Sequence, residues 1–138
     1  MANTRTKLAL ACALLISFVG FRTGVLNAQD QPITRTELLT ANLAGIEGKE
    51  AYIYIADVKP GGGGPRHTHY GDEFVYILEG ALVVMPDGKE PITLKQGEIA
   101  HLSPDVVHAA KNGSESEPAK VLVFLVVEKG KPRAEVAK

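Results

Sequence analysis

The sequence predicts an all-β fold, either an antiparallel sandwich or a barrel, and three observations lead to it. Apolar segments of four to eight residues recur along the chain, and most are rich in Val, Ile, Tyr or Phe. Clusters of glycine, proline and asparagine separate them, as at 60–65, 86–88 and 112–114. Almost no helical pattern lies between the segments. The predicted strands, in chain order, are 51–58, 73–79, 81–85, 91–94, 98–102 and 120–127.

Two segments flank these strands, and neither has a strong strand pattern. Residues 34–43 (TRTELLTANL) are the one stretch that could form a short helix, although three threonines weaken it. The segment from Lys129 onward is charged and is expected to be a frayed tail. We therefore predict a single domain over 29–138, with its core at about 33–128.

The composition is that of a globular protein and excludes several classes of function. Apolar residues make up 45% of the chain and charged residues 22%, which is ordinary globular usage. The near balance of 15 basic and 16 acidic residues, with only 6% aromatics, argues against a nucleic-acid binder. Cys12 is the single cysteine, so neither an intrachain disulfide nor a cysteine-based zinc cluster can form.

Residues 1–28 are predicted to be a signal peptide. Arg5 and Lys7 precede an apolar run at 8–19, which is short for a membrane span, and small residues lead to a cleavage site after Ala28. A buried helix or an uncleaved anchor is the alternative. Cleavage removes three basic residues and the cysteine, leaving a mature net charge of −4. We expect a periplasmic or secreted protein without stable membrane insertion.

The four histidines, His67, His69, His101 and His108, suggest a metal site. His67 and His69 are two residues apart, so both point to one face of a strand, and Glu73 keeps that parity. His108 would join them from a later strand. Three imidazoles and one carboxylate suit Fe(II), Mn(II), Ni(II), Cu(II) or Zn(II), and leave two positions open on a six-coordinate ion. The alternative is a solvated surface pair of histidines with Glu73 in an ion pair.

The spacing of glycines around these histidines resembles the first motif of the cupin family. Gly61 is followed after five residues by His67-Thr68-His69, after three more by Glu73, and after six more by Gly80. Every position of the motif is matched. We read Gly80 as the turn between strands 73–79 and 81–85, and the glycines at 61–64 as a loop rather than a phosphate cradle.

A second cupin motif follows after sixteen intervening residues. Gly97, His108 and Asn112 are in register with it. Two positions depart: Ser103 replaces the preferred proline, and Asp105 replaces the usual glycine. These departures concern the turn before His108 rather than the ligand itself.

The resemblance covers roughly 33–132 and is to small exported cupins of the quercetin-dioxygenase-like, type-2 group. It implies a double-stranded β-helix, or jelly-roll barrel. It also implies a divalent transition metal inside the barrel, held by His67, His69, Glu73 and His108. Pairing of two chains through an edge strand, giving a homodimer, is a further implication.

The family includes several functions, and three hypotheses follow from the resemblance. The first is a metal-dependent dioxygenase acting on a small enolisable or phenolic compound, with the catalytic Glu73 ligating the metal and accepting a proton when displaced from it. The second is a non-catalytic module that binds metal or a small molecule. A sugar isomerase is a third, less favoured hypothesis, because no phosphate or nucleotide site is visible. Fold-level analogy does not choose among them.

Other residues are predicted to support the fold. His101 is read as a hydrogen-bonded structural histidine, with a contact to substrate or to a metal ligand as the alternative. By alternation Arg66 and Tyr70 should face away from the metal, and Asn112 should close the loop after His108. The candidates for the core or pocket wall are Tyr52, Tyr54, Val75, Ile77, Leu82, Val84, Leu122, Phe124 and Val126.

Overall fold

The structure is a computed structural model that describes residues 32–138, and these residues form ten strands and no helix. The predicted all-β class is confirmed, whereas the predicted signal peptide lies outside the described residues. The strands are β1 (Ile33–Asn42), β2 (Lys49–Val58), β3 (His67–Thr68), β4 (Gly71–Glu79), β5 (Ala81–Pro86), β6 (Ile92–Lys95), β7 (Ile99–Leu102), β8 (His108–Asn112), β9 (Ala119–Glu128) and β10 (Glu135–Val136).

The strands form two five-stranded sheets with antiparallel pairing between neighbours. The first sheet has the order β1-β2-β9-β4-β7, and the second has the order β10-β3-β8-β5-β6. Inward side chains of both sheets form one apolar core, with Val121 and Leu125 of β9 facing Leu82 and Val84 of β5. Because side chains alternate between the two faces of a strand, only every second residue of each strand can reach a site between the sheets. No helix within residues 32–138 has the length and apolarity needed to cross a membrane.

The prediction of which face of β9 is buried was wrong, because the buried residues are shifted by one position from the predicted ones. In β9 the buried positions are Val121, Val123, Leu125 and Val127, so the predicted core residues Leu122, Phe124 and Val126 lie on the outer face. The run VLVFLVV is apolar at every position, so its sequence has no polar residues that would indicate which face is buried.

The short helix considered for 34–43 is wrong, because this segment is strand β1. It pairs with β2 from Ile33 opposite Val58 to Asn42 opposite Glu50, with one register shift between Glu37 and Leu39. Its threonines are β-branched, and the pairing satisfies backbone groups of β2 that would otherwise be left at an open edge. Tertiary pairing thus outweighs a weak helical pattern.

The frayed tail predicted from Lys129 is also wrong, because the tail packs against the barrel. Strand β10 pairs with β3, and the amide of Ala137 donates to the carbonyl of Arg66 at 2.9 Å. The guanidinium of Arg133 forms an ion pair with Glu50. Charge composition had suggested a solvated segment, but backbone pairing to the free edge of β3 does not depend on side-chain polarity.

The turns of the two motifs take the conformations that the fold requires. Gly80 has φ +74°, which confirms it as the turn between β4 and β5. Asp105 has φ 62°, so it adopts the left-handed conformation that glycine favours and that aspartate tolerates better than most residues. Asn112 is 2% exposed and its amide nitrogen donates to the carbonyls of Val58 and Glu117, at 3.2 and 2.8 Å, which confirms its loop-closing role.

Candidate metal centre

The four predicted ligands come from both sheets and meet between them. His67 lies on β3 and is paired directly with His108 on β8, both in the second sheet. His69 follows β3, and Glu73 lies on β4 of the first sheet. The site is therefore formed where the chain passes from one sheet to the other within seven residues, and β8 brings in the fourth side chain.

The side chains are close enough to share one ion. One ligating nitrogen from each of His67, His69 and His108 lies within 4.8 Å of the other two. Oε2 of Glu73 lies 3.0 Å from Nε2 of His108 and 3.5 Å from Nε2 of His69. His69, Glu73 and His108 are only 5%, 4% and 3% exposed, so the alternative of a solvated surface pair does not describe them.

Backbone carbonyls set the tautomer of all three imidazoles. Nδ1 of His67 lies 2.9 Å from the carbonyl of Pro65, Nδ1 of His69 lies 2.5 Å from that of Arg133, and Nδ1 of His108 lies 3.1 Å from that of Val106. Because a carbonyl can only accept, each Nδ1 must be the protonated, donating nitrogen. Each Nε2 is then left with its lone pair free, which is the arrangement found in histidines that ligate metals.

Two buried polar atoms at the centre are left without partners. Among residues 32–138, neither Nε2 of His69 nor Oε2 of Glu73 has a hydrogen-bond partner with acceptable geometry. An unpaired buried polar atom costs about 1–3 kcal/mol, and more when it is charged. A divalent cation among the imidazole nitrogens and the carboxylate would satisfy both atoms. The donor set fits a divalent transition metal.

The electrostatics favour an ionised carboxylate. Burial raises the pKa of Glu73, but the neighbouring His108 and His69 outweigh burial and hold the pKa below its usual value. Burial lowers the pKa of His67. Burial also lowers the pKa of His108, but contact with the Glu73 carboxylate more than offsets this and leaves the pKa raised. Glu73 is thus the anionic member of the cluster.

Two cavities adjoin the cluster. The inner cavity, between the sheets, has a volume of about 60 Å³, and its walls include Glu73, His108 and apolar side chains such as Val75 and Val123. The outer cavity has a volume of about 320 Å³ and is lined by residues of β1 and β2, by His67 and His69, and by the tail around Arg133.

His101 lies apart from the cluster, on the outer face of the first sheet. Its Nε2 is 2.8 Å from Oδ1 of Asp72, and its ring stacks on Phe74 at 4.8 Å between centroids. This confirms a hydrogen-bonded structural histidine. Arg66 pairs with Asp87 and Tyr70 bonds to Glu135, both exposed, so these two side chains face away from the site as predicted.

Sequence reasoning missed the role of two residues near the site. Arg133 supplies the carbonyl that orients His69, and every residue type has a carbonyl, so no sequence signal could have found it. Gly71, between His69 and Glu73, lies so close to β9 that a Cβ would fall 1.9 Å from the carbonyl oxygen of Val126. A glycine between predicted ligands is a signal that could have been read as a close backbone approach.

Two facing antiparallel sheets with a histidine and carboxylate cluster between them define a double-stranded β-helix protein. Residues 54–128 match the family described as the cupin domain, and this is more than half of the chain. The chain belongs to the cupin family. It is also 29% identical over 85 residues to germin-like protein subfamily 2 member 4 of Arabidopsis thaliana. That alignment covers 58% of this chain and 39% of the relative, so the chain spans about two fifths of the relative's length.

Solved structures share the fold. A double-stranded β-helix protein from Klebsiella pneumoniae superposes with a TM-score of 0.64 at 19% identity, over 79% of this chain and 87% of that one. DMSP lyase DddQ from Ruegeria pomeroyi gives a TM-score of 0.64 at 19% identity, over 89% of this chain and 59% of that one. A cupin superfamily protein from Desulfitobacterium hafniense gives 0.59 at 17%, over 70% and 78%. At these identities the likeness establishes the fold alone.

Proposed function

We propose that this cupin is a metal-dependent, dioxygenase-like enzyme that acts on a small enolisable or phenolic compound. His67, His69, Glu73 and His108 would hold one divalent transition metal. The observation that supports this most directly is the set of three Nδ1–carbonyl contacts, which free three Nε2 lone pairs beside a buried carboxylate. Four protein donors leave two positions of a six-coordinate ion open to small molecules.

A bound metal would supply a Lewis acid for the substrate oxygen and redox chemistry toward dioxygen. The chain itself provides the proton acceptor, because Glu73 is held ionised and its Oε2 has no hydrogen-bond partner among the described residues. Because Oε2 would be engaged when the carboxylate binds the ion, Glu73 could take the proton from an enol or a phenol only when the substrate has displaced it as a ligand. The apolar walls of the inner cavity, including Val75 and Leu102, exclude bulk water from the reacting group.

A non-catalytic role is the second candidate, and the size of the inner cavity favours it. About 60 Å³ has room for only a few water molecules, so the barrel itself cannot enclose an organic substrate. A protein that captures metal, or a small ligand at the mouth of the site, would need no more space. The same four ligands serve both candidates.

Metal analysis followed by oxygen-uptake assays separates the two candidates. We expect the purified mature protein to contain about one divalent metal per chain and to consume oxygen with a flavonol or a β-diketone. The His69→Ala variant should lose most of the metal and the activity, whereas His101→Ala, which lies on the outer face, should keep both. Metal without oxygen uptake across the panel would favour the binding module. Full metal retention in His69→Ala would contradict the proposed site.

The metal affinity is expected to fall as the pH falls, because each imidazole must be unprotonated at Nε2 to bind. The pKa of His108 is raised, so the loss begins above the ordinary histidine value of about 6.5. The pKa of His67 is lowered, so this imidazole takes up its proton at a lower pH. Competition with a chromogenic chelator from about pH 8 to about pH 5.5 measures the effect. An affinity that stays constant over this range would contradict ligation by these imidazoles.

We also propose that the mature chain acts outside the cytoplasm and as a homodimer. The leader at 1–28 and the cysteine-free mature sequence support export. Strand β1 is an edge of the first sheet and is largely exposed, so a second copy could pair with it. Fractionation of cells producing the full chain, and light scattering of the mature protein, test the two statements.

A further inference from the structure

The outer cavity is the route by which an organic ligand can reach the histidine cluster. Its volume is about 320 Å³, against about 60 Å³ for the inner cavity. Arg35, Tyr54 and His67 line both cavities, so the two meet at these residues. A ligand larger than a few water molecules must therefore occupy the outer cavity while one end of it approaches the cluster. The polar residues that line the outer cavity are Arg35, Tyr52, Tyr54, His67, His69 and Arg133.

The charge of this cavity is positive. Two arginines line it and no acidic residue does. Arg133 already has partners, because its guanidinium pairs with Glu50 and lies 4.4 Å from the ring centre of Tyr52. It is best described as part of the wall, and its charge is largely compensated.

Arg35 has no acidic partner among the described residues, and the hydroxyl of Tyr54 is a polar neighbour of its guanidinium. Arg35 lies opposite Ala56 in the β1–β2 pairing and lines the cavity together with Tyr54, but unlike these two buried residues it is exposed to solvent. Within residues 32–138, no carboxylate oxygen lies within 4.0 Å of its guanidinium. A guanidinium offers five donors and accepts none, so it requires acceptor oxygens from a ligand or from water.

Tyr54 adds a second donor at the junction of the cavities. Burial, with a smaller contribution from the charge of Glu73, raises the pKa of Tyr54 to about 12, although Arg35 opposes the shift by its charge and by a hydrogen bond. The phenol therefore keeps its proton at physiological pH and can donate it in a hydrogen bond. A ligand that faces both Arg35 and Tyr54 must present acceptor oxygens, and an anionic group satisfies this best.

We propose that the outer cavity selects phenolic or enolic compounds that carry a carboxylate, with Arg35 pairing with that carboxylate. The phenolic or enolic oxygen then faces the histidines. This inference rests on the proposed function, because the second anchor of the ligand is the metal site. Arg35 is a specificity-determining residue in this proposal and does not take part in proton transfer.

Binding to the zinc-loaded protein, which is redox-inert, tests the proposal without turnover. Two dihydroxybenzoates, the 2,3- and 3,4-isomers, would be compared with their carboxamides by calorimetry, because each pair differs only in the charged group. We expect at least one carboxylate to bind about tenfold more tightly than its amide. Arg35→Gln should weaken carboxylate binding far more than amide binding and so abolish that preference, and Arg35→Lys should keep part of it. Arg66→Gln, which removes an equal charge outside the cavity, should behave as the wild type.

The outcomes distinguish this inference from the proposed function. If the protein binds zinc and the amides, but neither carboxylate is preferred, or the preference survives in Arg35→Gln, the anionic-ligand proposal is overturned and the metal site stands. If the wild-type protein binds no zinc, both are overturned. A preference lost equally in Arg35→Gln and Arg66→Gln would reflect general charge attraction and would also overturn the role of Arg35.

Discussion

The Gly71→Ala variant is expected to lose about 3 kcal/mol or more of its free energy of unfolding, because overpacking against fixed backbone is among the costliest core changes. A Cβ at this position would lie 1.9 Å from the carbonyl oxygen of Val126 and 2.7 Å from Cα of Val127. Both atoms belong to β9, which is paired on both sides by β2 and β4 and cannot easily move away. Urea denaturation followed by circular dichroism gives the midpoint and the slope from which the loss is calculated.

Gly64→Ala is the matched control. It is also a glycine near the ligands in sequence, but its added Cβ would meet only Cδ1 of Ile33 at 3.5 Å, an ordinary van der Waals distance. Its stability should change by less than about 1 kcal/mol. A Gly71→Ala midpoint equal to that of Gly64→Ala would mean that β4 and β9 separate easily, which would contradict the close packing of Gly71 against Val126.

The Gly71 result also bears on the site, because Gly71 lies between His69 and Glu73. If the alanine pushes β4 away from β9, Glu73 moves with β4 and its distance from His108 increases. We therefore expect metal affinity to fall together with stability in Gly71→Ala and not in Gly64→Ala. Packing between two strands of the first sheet thus controls a distance within the cluster.

The ligands of the candidate site could be predicted from the sequence because their spacing has a direct geometric meaning. His67 and His69 share a face by the period of two of an extended chain, and Glu73 keeps the same parity. The turn before His108 was harder to predict, because Asp105 stands where a glycine is usual. The structure resolves this, since the aspartate adopts φ 62° and the chain still brings His108 into the cluster.

The parts of the fold that could not be predicted depend on partners that are distant in sequence. Strand β1 is extended because it pairs with the open edge of β2, and the sequence pattern of neither segment indicates this pairing. The burial of Val121 rather than Leu122 depends on the pairing of β9 with β2 and β4, since both residues are apolar. The tail packs because β3 has a free edge. The periodicity of a segment reflects only its own residues, so it does not reveal which distant strand the segment pairs with.

The same limit applies to the partners of the ligands. All three imidazoles are oriented by carbonyls, and the one that serves His69 comes from Arg133, far along the chain in a segment whose charge suggested a solvated tail. The position of that tail is thus part of the site. This explains why a ligand set can be read from a motif, whereas the hydrogen bonds that fix its tautomers require the folded chain.

Metal is expected to stabilise the wild-type protein by about 4 kcal/mol when its free concentration is about a thousand times the dissociation constant. A domain of this size should respond with a rise in melting temperature of about 15 °C. The reason is that the native state gathers His67, His69 and His108 within 4.8 Å of one another, whereas an unfolded chain offers no such cluster. Differential scanning calorimetry with a chelator and with Zn(II) measures the shift.

The metal-induced shift, rather than the absolute melting temperature, is the quantity to compare between variants. Replacing His69, which is 5% exposed, leaves a cavity and lowers stability even without metal, so absolute values mix two effects. The shift should fall to a small fraction of the wild-type value in His69→Ala. It should be unchanged in His101→Ala, because that imidazole lies on the outer face and bonds to Asp72. An equal shift in wild type and His69→Ala would place the stabilising metal elsewhere, since a cluster held by three imidazoles and one carboxylate cannot lose a buried ligand without losing affinity.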